Sequence, residues 1–265
     1  MKIGLVQNNI LWENKQFNLS ASKEFFKKAK NLKIDLLLFP ELSFTGFTMN
    51  VEKLKEFDFS TITYIASLCK TYCINAGIGY IQGVDDDKKA NNNYAIISST
   101  GNVLCNYSKI HPFSYGDESN YYIGGNEIFF SQINDITLSP FICYDLRFPE
   151  IFQIASKKCD LITVAANWPD ARKDHWITLL KSRAIENQCY VAGVNRIGIG
   201  NSIIYSGNSL IIDPLGKIIS SLDEGVEDIL IADIDKTLVS MVRASFKLKK
   251  DRRESLYEKL KTNNS

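Results

Sequence analysis

Histidine is nearly absent from the 265 residues, which hold only His111 and His175. A cysteine–histidine protease pair would have just these two to draw on. His111 lies in the loop sequence KIHPF and His175 opens a helical stretch, KDHW; neither has an obvious partner. Ligand spacing of the C-x-x-C or H-x-x-x-H kind is missing, so no metal site is expected. No apolar run approaches the ~20 residues that a membrane-spanning helix needs. The opening MKIGLVQNNI carries no basic segment ahead of a long apolar one, so no secretion signal is expected. Excess charge is lacking too: 31 basic side chains face 30 acidic ones, for a formal net charge of +1. Nucleic-acid binders usually gather a basic excess on one face. The one basic run, Lys247 to Arg253, is broken by Asp251 and reads as solvated or subunit-contacting surface. Gly77-x-Gly79 and Gly198-x-Gly200 are only fragments of a dinucleotide fingerprint, and there is no phosphate-binding loop. No cofactor is expected.

What remains is an ordinary globular balance, 45% hydrophobic and 23% charged. The length suits one large domain, taken as 1–258, with a tail over 259–265 expected to fray. The six cysteines, Cys69, Cys73, Cys105, Cys143, Cys159 and Cys189, are spread along a chain too long for a disulfide-built module. A reducing cytoplasm is the expected location. Strands are expected at 2–8, 34–40, 74–82, 136–143, 161–167 and 189–195, a hairpin around Thr100–Asn102, and three strands within 207–234. Helices are expected at 13–31, about 60–72, Arg147 to about Lys157, and Asp174 to about Asn187. Polar excursions are expected at 83–91 and 111–126. The pattern is mixed α/β.

Three apolar strands end in a reactive residue: LLLFP runs into Glu41, VLCNYS into Lys109 and LSPFI into Cys143. Strand ends in α/β sheets are where sites assemble, because rigid backbone presents the side chain into a crevice. A thiol with a pKa near ~8.5 is mostly protonated at neutral pH. A carboxylate can take its proton during attack, and an ammonium can stabilise the resulting oxyanion. Glu, Lys and Cys would thus suffice for acyl transfer without histidine. Each residue also has a plainer reading: Cys143 as a small buried hydrophobe, Glu41 as a loop carboxylate, Lys109 as a surface lysine.

The segments LLLFPELSFTGF (36–47), YSKIHPF (107–113) and FICYDLRFPE (141–150) resemble the Glu, Lys and Cys motifs of the nitrilase superfamily, the carbon–nitrogen hydrolases, in the family's order. The resemblance extends through YSGNSLIIDPLGKII (205–219) to the Arg252–Tyr257 region. It implies a four-layer αββα sandwich and a homodimer. It implies Cys143 as nucleophile, Glu41 as general base, and Lys109 with the Tyr144 backbone N–H as oxyanion donors. Glu118 fits the second glutamate that orients such sites, with a surface-loop acid as the lesser reading. Cys143-Tyr144-Asp145 looks like the amidase branches. Residues 165–196 are similar to bacterial omega-amidases, which hydrolyse the terminal amide of 2-oxoglutaramate or 2-oxosuccinamate. Such a small amide substrate needs a cationic anchor. Arg147 and Arg172 are the leading candidates, ahead of Arg183 and Arg196, and Arg147 is equally well read as a structural ion-pair partner. Phe113, Tyr121, Tyr122, Trp168 and His175 are candidate pocket walls. Two alternatives stay open: another amidase, acting on a deaminated peptide amide or an N-carbamoyl compound, and a catalytically silent binding protein on the same fold.

Overall fold

The computed structural model of the chain describes residues 1–84 and 88–263. Its first sheet contains β1 (Lys2–Gln7), β2 (Leu36–Leu38), β3 (Asn75–Gly83), β4 (Ala90–Ile97) and β5 (Val103–Ser108). The second contains β6 (Ser131–Ile133), β7 (Ile136–Ile142), β8 (Leu161–Ala166) and β9 (Tyr190–Asn195). A separate hairpin follows, β10 (Ile197–Gly200) with β11 (Ile203–Ser206). The chain completes the second sheet with β12 (Leu210–Ile212) and β13 (Ile218–Ser221), then returns to the first as β14 (Asp228–Asp233). The strand orders are β14-β1-β2-β3-β4-β5 and β13-β12-β9-β8-β7-β6.

Period-two alternation sets the layering. Along β2, Leu36 and Leu38 enter one core while Leu37 enters another; along β4, Tyr94 and Ile96 separate in the same way from Ala95 and Ile97. The first core lies between the sheets, where Leu5, Leu38 and Ile96 join Leu138, Leu161 and Ala192. The second lies under α1 (Lys15–Asn31) and α3 (Ser60–Tyr72), which supply Phe26, Ile65 and Cys69. On the outer face of the second sheet, α5 (Pro149–Ala155) and α6 (Lys173–Asn187) bury Phe152, Trp176 and Leu180. Each such side chain contributes about 1.5–3 kcal/mol when fully buried. The result is the expected αββα sandwich.

Short helices α2 (Val51–Leu54) and α4 (Glu118–Tyr121) lie in loops, and α7 (Lys236–Ser245) and α8 (Glu254–Asn263) follow β14. Of the excursion expected at 83–91, residues 85–87 lie outside the described residues. So do 264–265 of the tail expected to fray, whose earlier part continues α8. The β10–β11 hairpin and α7 were not expected from the sequence.

Strand direction brings the site together. β1, β2 and β3 are parallel, and two antiparallel steps through β4 bring β5 back to the same direction. Glu41 and Lys109 therefore leave the same end of the first sheet. In the second sheet β7 and β8 are parallel, so Cys143 and Asn167 also leave a common end.

Candidate active site

Glu41 follows Pro40 in a turn held against β3. The Ser43 hydroxyl donates to the Pro40 carbonyl at 2.5 Å and accepts from Gly79 N–H at 2.8 Å. Only glycine fits at 79, since a Cβ there would lie 2.3 Å from the Leu42 nitrogen. Glu41 is fully buried. Its Oε1 accepts from Lys109 Nζ at 2.8 Å and from Asn92 Nδ2 at 2.8 Å, and its Oε2 accepts from the Asn167 N–H at 2.9 Å.

Lys109 is as deeply buried as its partners. Its ammonium donates to Glu41 and to both oxygens of Glu118, at 3.1 and 2.8 Å, and stands 5.2 Å from the centre of the Phe47 ring. Burial works against the charge, but Glu118 and Glu41 outweigh it and hold the pKa well above that of an ordinary lysine. Glu118 also accepts from Asn92 Nδ2 at 2.9 Å and from the Phe113 N–H at 2.5 Å. Burial raises the Glu118 pKa against the pull of Lys109. The surface-loop reading of Glu118 therefore does not hold, since the side chain is fully buried.

Cys143 takes a positive φ of 44°, a costly conformation for a side-chain-bearing residue and one found at functional turns. Its Sγ–H points to the Asn167 carbonyl at 3.9 Å. Burial, then the charge of Glu41, push the thiol well above its ordinary pKa. The neighbouring turn is fixed by Asp145, whose carboxylate accepts from Tyr107 Oη at 2.7 Å, Ile142 N–H at 3.1 Å, His111 N–H at 3.0 Å and the His111 ring at 2.9 Å. The His111 ring stacks on Phe148 at 3.8 Å. His111 thus ties the lysine loop to the cysteine turn.

A cavity of about 360 Å³ opens over Cys143 and Lys109. Tyr144, Phe113, Trp168, Arg147 and Arg172 line it, as expected. Tyr121 and His175 do not. Tyr121 sits on α4 over a neighbouring surface groove, and His175 is exposed behind the wall, its Nδ1 3.2 Å from Arg147 Nη2. Tyr122 is buried, donating to the Thr48 carbonyl at 2.7 Å. Among the described residues no carboxylate forms a salt bridge with Arg147 or Arg172, so the ion-pair reading of Arg147 is not realised. Their guanidinium groups lie over the rings of Trp168 and Phe113, at 4.8 and 5.6 Å. Arg183 is instead spent on Glu186 and the Leu146 carbonyl, and Arg196 on the carbonyls of Ile197 and Ile10.

Sequence reasoning passed over Asn92, Asn167, Trp12 and Tyr205. Asn92 had a signal, three asparagines in a row within an apolar strand; Asn167 had one in the Asn-Trp-Pro step. Trp12, from the loop before α1, and Tyr205, from β11, join the cavity wall and had none. Among the described residues no cluster of His, Cys, Asp and Glu could hold a metal ion.

A model of the carbon–nitrogen hydrolases matches residues 2–244. The chain belongs to the carbon–nitrogen hydrolase family. A 2-oxoglutaramate amidase of Bacillus subtilis is 34% identical over 255 residues, 91% of this chain and 97% of its own. An omega-amidase of Yersinia enterocolitica is 32% identical over 247 residues, 93% of this chain and 94% of its own. Among solved structures, a CN-hydrolase superfamily protein of Xanthomonas campestris, with an arsenic adduct in its active site, matches with a TM-score of 0.89 at 28% identity. That match covers 95% of this chain and 97% of the other. The carbon–nitrogen hydrolase match takes in Glu41, Lys109, Glu118 and Cys143 together.

Proposed function

We propose that this hydrolase releases ammonia from the terminal amide of a small 2-oxo dicarboxylate monoamide, 2-oxoglutaramate or 2-oxosuccinamate, through a thioester on Cys143. The thiol is neutral at rest, so attack needs a base. Glu41 takes the proton as Sγ bonds to the amide carbon. The oxyanion that forms is met by the Lys109 ammonium and the Tyr144 N–H. Collapse breaks the C–N bond, and ammonia leaves with the proton held by Glu41. A water then gives a proton to Glu41 and attacks the thioester; the acid departs and the proton returns to sulfur. Glu118 keeps Lys109 charged and aimed.

One observation supports the anionic substrate above the others: Arg147 and Arg172 line the cavity with no carboxylate paired to them among the described residues. Unpaired cations in a largely apolar pocket suit a carboxylate-bearing ligand. The relatives from Bacillus subtilis and Yersinia enterocolitica support the same substrate class. The chain is further proposed to act as a cytoplasmic homodimer. The six cysteines are unpaired, and Ile154 on α5, Ile185 on α6 and Leu215 are each more than half exposed, at 54%, 52% and 65%. Sedimentation as a monomer would remove the dimer from this proposal.

The direct test follows ammonia from 2-oxoglutaramate with the wild type and Cys143→Ala. Release by the wild type alone is expected. No release from 2-oxoglutaramate or 2-oxosuccinamate, with release from an N-carbamoyl compound or a deaminated peptide amide, would move the enzyme to another branch of the family.

A further inference from the structure

We infer that Tyr205 is a specificity-determining residue whose hydroxyl donates a hydrogen bond to the 2-oxo oxygen of the substrate. The inference deepens the substrate class proposed above and rests on it. Tyr205 comes from β11, opposite Gly198 of β10, and its side chain reaches the cavity wall. The residue is only 3% exposed; its hydroxyl has no hydrogen-bond partner among the described residues and is not enclosed, so it is reached from the cavity. Buried phenols normally find a partner, because an unmade hydrogen bond costs more than a made one returns. Tyr94, Tyr107 and Tyr122, each buried at least as deeply, all donate to a protein oxygen. Tyr205 differs in facing the cavity, where a ligand oxygen can be the acceptor.

The ring is fixed for this task. The Arg196 guanidinium lies 4.8 Å from its centre. Arg196 is itself fully buried and gripped by backbone, with Nε donating to the Ile197 carbonyl at 3.1 Å and Nη2 to the Ile10 carbonyl at 2.8 Å. A cation against a phenol ring is attracted to it and makes the hydroxyl a better donor.

Position selects the acceptor. The charges that act on the phenol include Cys143 and Glu41 from the reacting end and Arg172 from the cationic wall. Burial, opposed by Arg196 and reinforced by Cys143 and Glu41, keeps the phenol protonated and hence a donor. In a 2-oxo monoamide bound with its amide at Cys143 and its carboxylate at Arg147 and Arg172, the oxygen between these ends is the 2-oxo group. Lys109 and the Tyr144 N–H are assigned to the amide oxygen, and the arginines to the carboxylate. The 2-oxo oxygen is left for Tyr205.

The test compares 2-oxoglutaramate with glutaramate, which has a methylene in place of the 2-oxo carbonyl, in wild type and Tyr205→Phe. Wild type should prefer 2-oxoglutaramate at least tenfold in kcat/KM. Tyr205→Phe should lose about 10- to 100-fold on 2-oxoglutaramate and change less than about twofold on glutaramate. Equal losses on both substrates would assign the hydroxyl to an atom they share and overturn the inference, as would no loss on either. Equal use of the two substrates by wild type would overturn it even if Tyr205→Phe failed to fold. Hydrolysis of neither by wild type would reject the substrate class itself, and this assignment with it.

Discussion

Replacing Glu118 by glutamine isolates the work of one buried charge. The carboxylate accepts four hydrogen bonds: two from Lys109 at 3.1 and 2.8 Å, one from Asn92 at 2.9 Å and one from the Phe113 N–H at 2.5 Å. An amide of the same shape keeps one oxygen. If its NH2 replaces Oε1, it faces Lys109 and Asn92; if it replaces Oε2, it faces Lys109 and Phe113. Two hydrogen bonds are lost in either orientation, although Lys109 keeps the one to the remaining oxygen. Removing one partner of a buried ion pair costs about 3–5 kcal/mol. Lys109 retains Glu41 at 2.8 Å, so a destabilisation of about 2–4 kcal/mol is expected, readable as a lower urea midpoint. Lys109 would also be left with one neutral hydrogen bond at position 118 in place of two to a carboxylate, and would be held less firmly at the oxyanion position. A loss of about 2.7 kcal/mol of transition-state stabilisation is a drop in kcat of about a hundredfold. KM should change little, because Glu118 lies behind the cavity wall. Ammonia release under saturating substrate measures kcat directly. A Glu118→Gln enzyme within threefold of wild type would refute the claim that this carboxylate holds the ammonium in place.

Arg147→Met and Arg172→Met should each raise KM for 2-oxoglutaramate about 10- to 100-fold with kcat nearly unchanged, the signature of lost ground-state binding; initial-rate kinetics decide it. Lys249 gives a pH prediction away from the site. Burial, then the neighbouring Arg243, lower its pKa from 10.5 to about 8, and its ammonium donates to the Ser156 carbonyl. Between these two values the unfolded chain binds the proton and the folded one does not, so this residue's contribution to stability rises with pH. The unfolding free energy of wild type relative to Lys249→Met should therefore increase from about pH 8 to 10.5. A flat difference across that window, by urea titration, would contradict the lowered pKa.

Most of the sandwich was legible because its strands are continuous apolar runs ended by proline, glycine or a polar residue. The α3 helix matches its expected span, 60–72, to the residue. The hairpin at 197–206 escaped because IGIGNSIIYS has two glycines and exposed isoleucines, Ile199 and Ile204, where a buried pattern was sought. The three residues that meet under the cavity, Glu41, Lys109 and Cys143, could be named from three strand ends and from resemblance, but not the wiring between them. Asn92 reaches Glu41 as well as Glu118 because β4 stands one strand from β2, across β3, a matter of sheet order that local sequence does not carry. Tyr121 was a natural guess beside Tyr122, and which of the two turns inward is decided by the single turn of α4.

The return of β14 to the first sheet has a consequence for how the enzyme comes into being. Lys2 pairs with Asp233, and the chain's first amino group donates to the Ile234 carbonyl at 2.9 Å. During synthesis from the N-terminus, one edge of β1 waits for its neighbour until every strand of the second sheet has been made. Contacts of such long sequence separation form slowly, and an open strand edge invites pairing with other chains in the meantime. Premature release of the nascent chain before residue 233 would therefore leave an edge that recruits other polypeptides, and a burst of aggregation is the expected fate of such fragments.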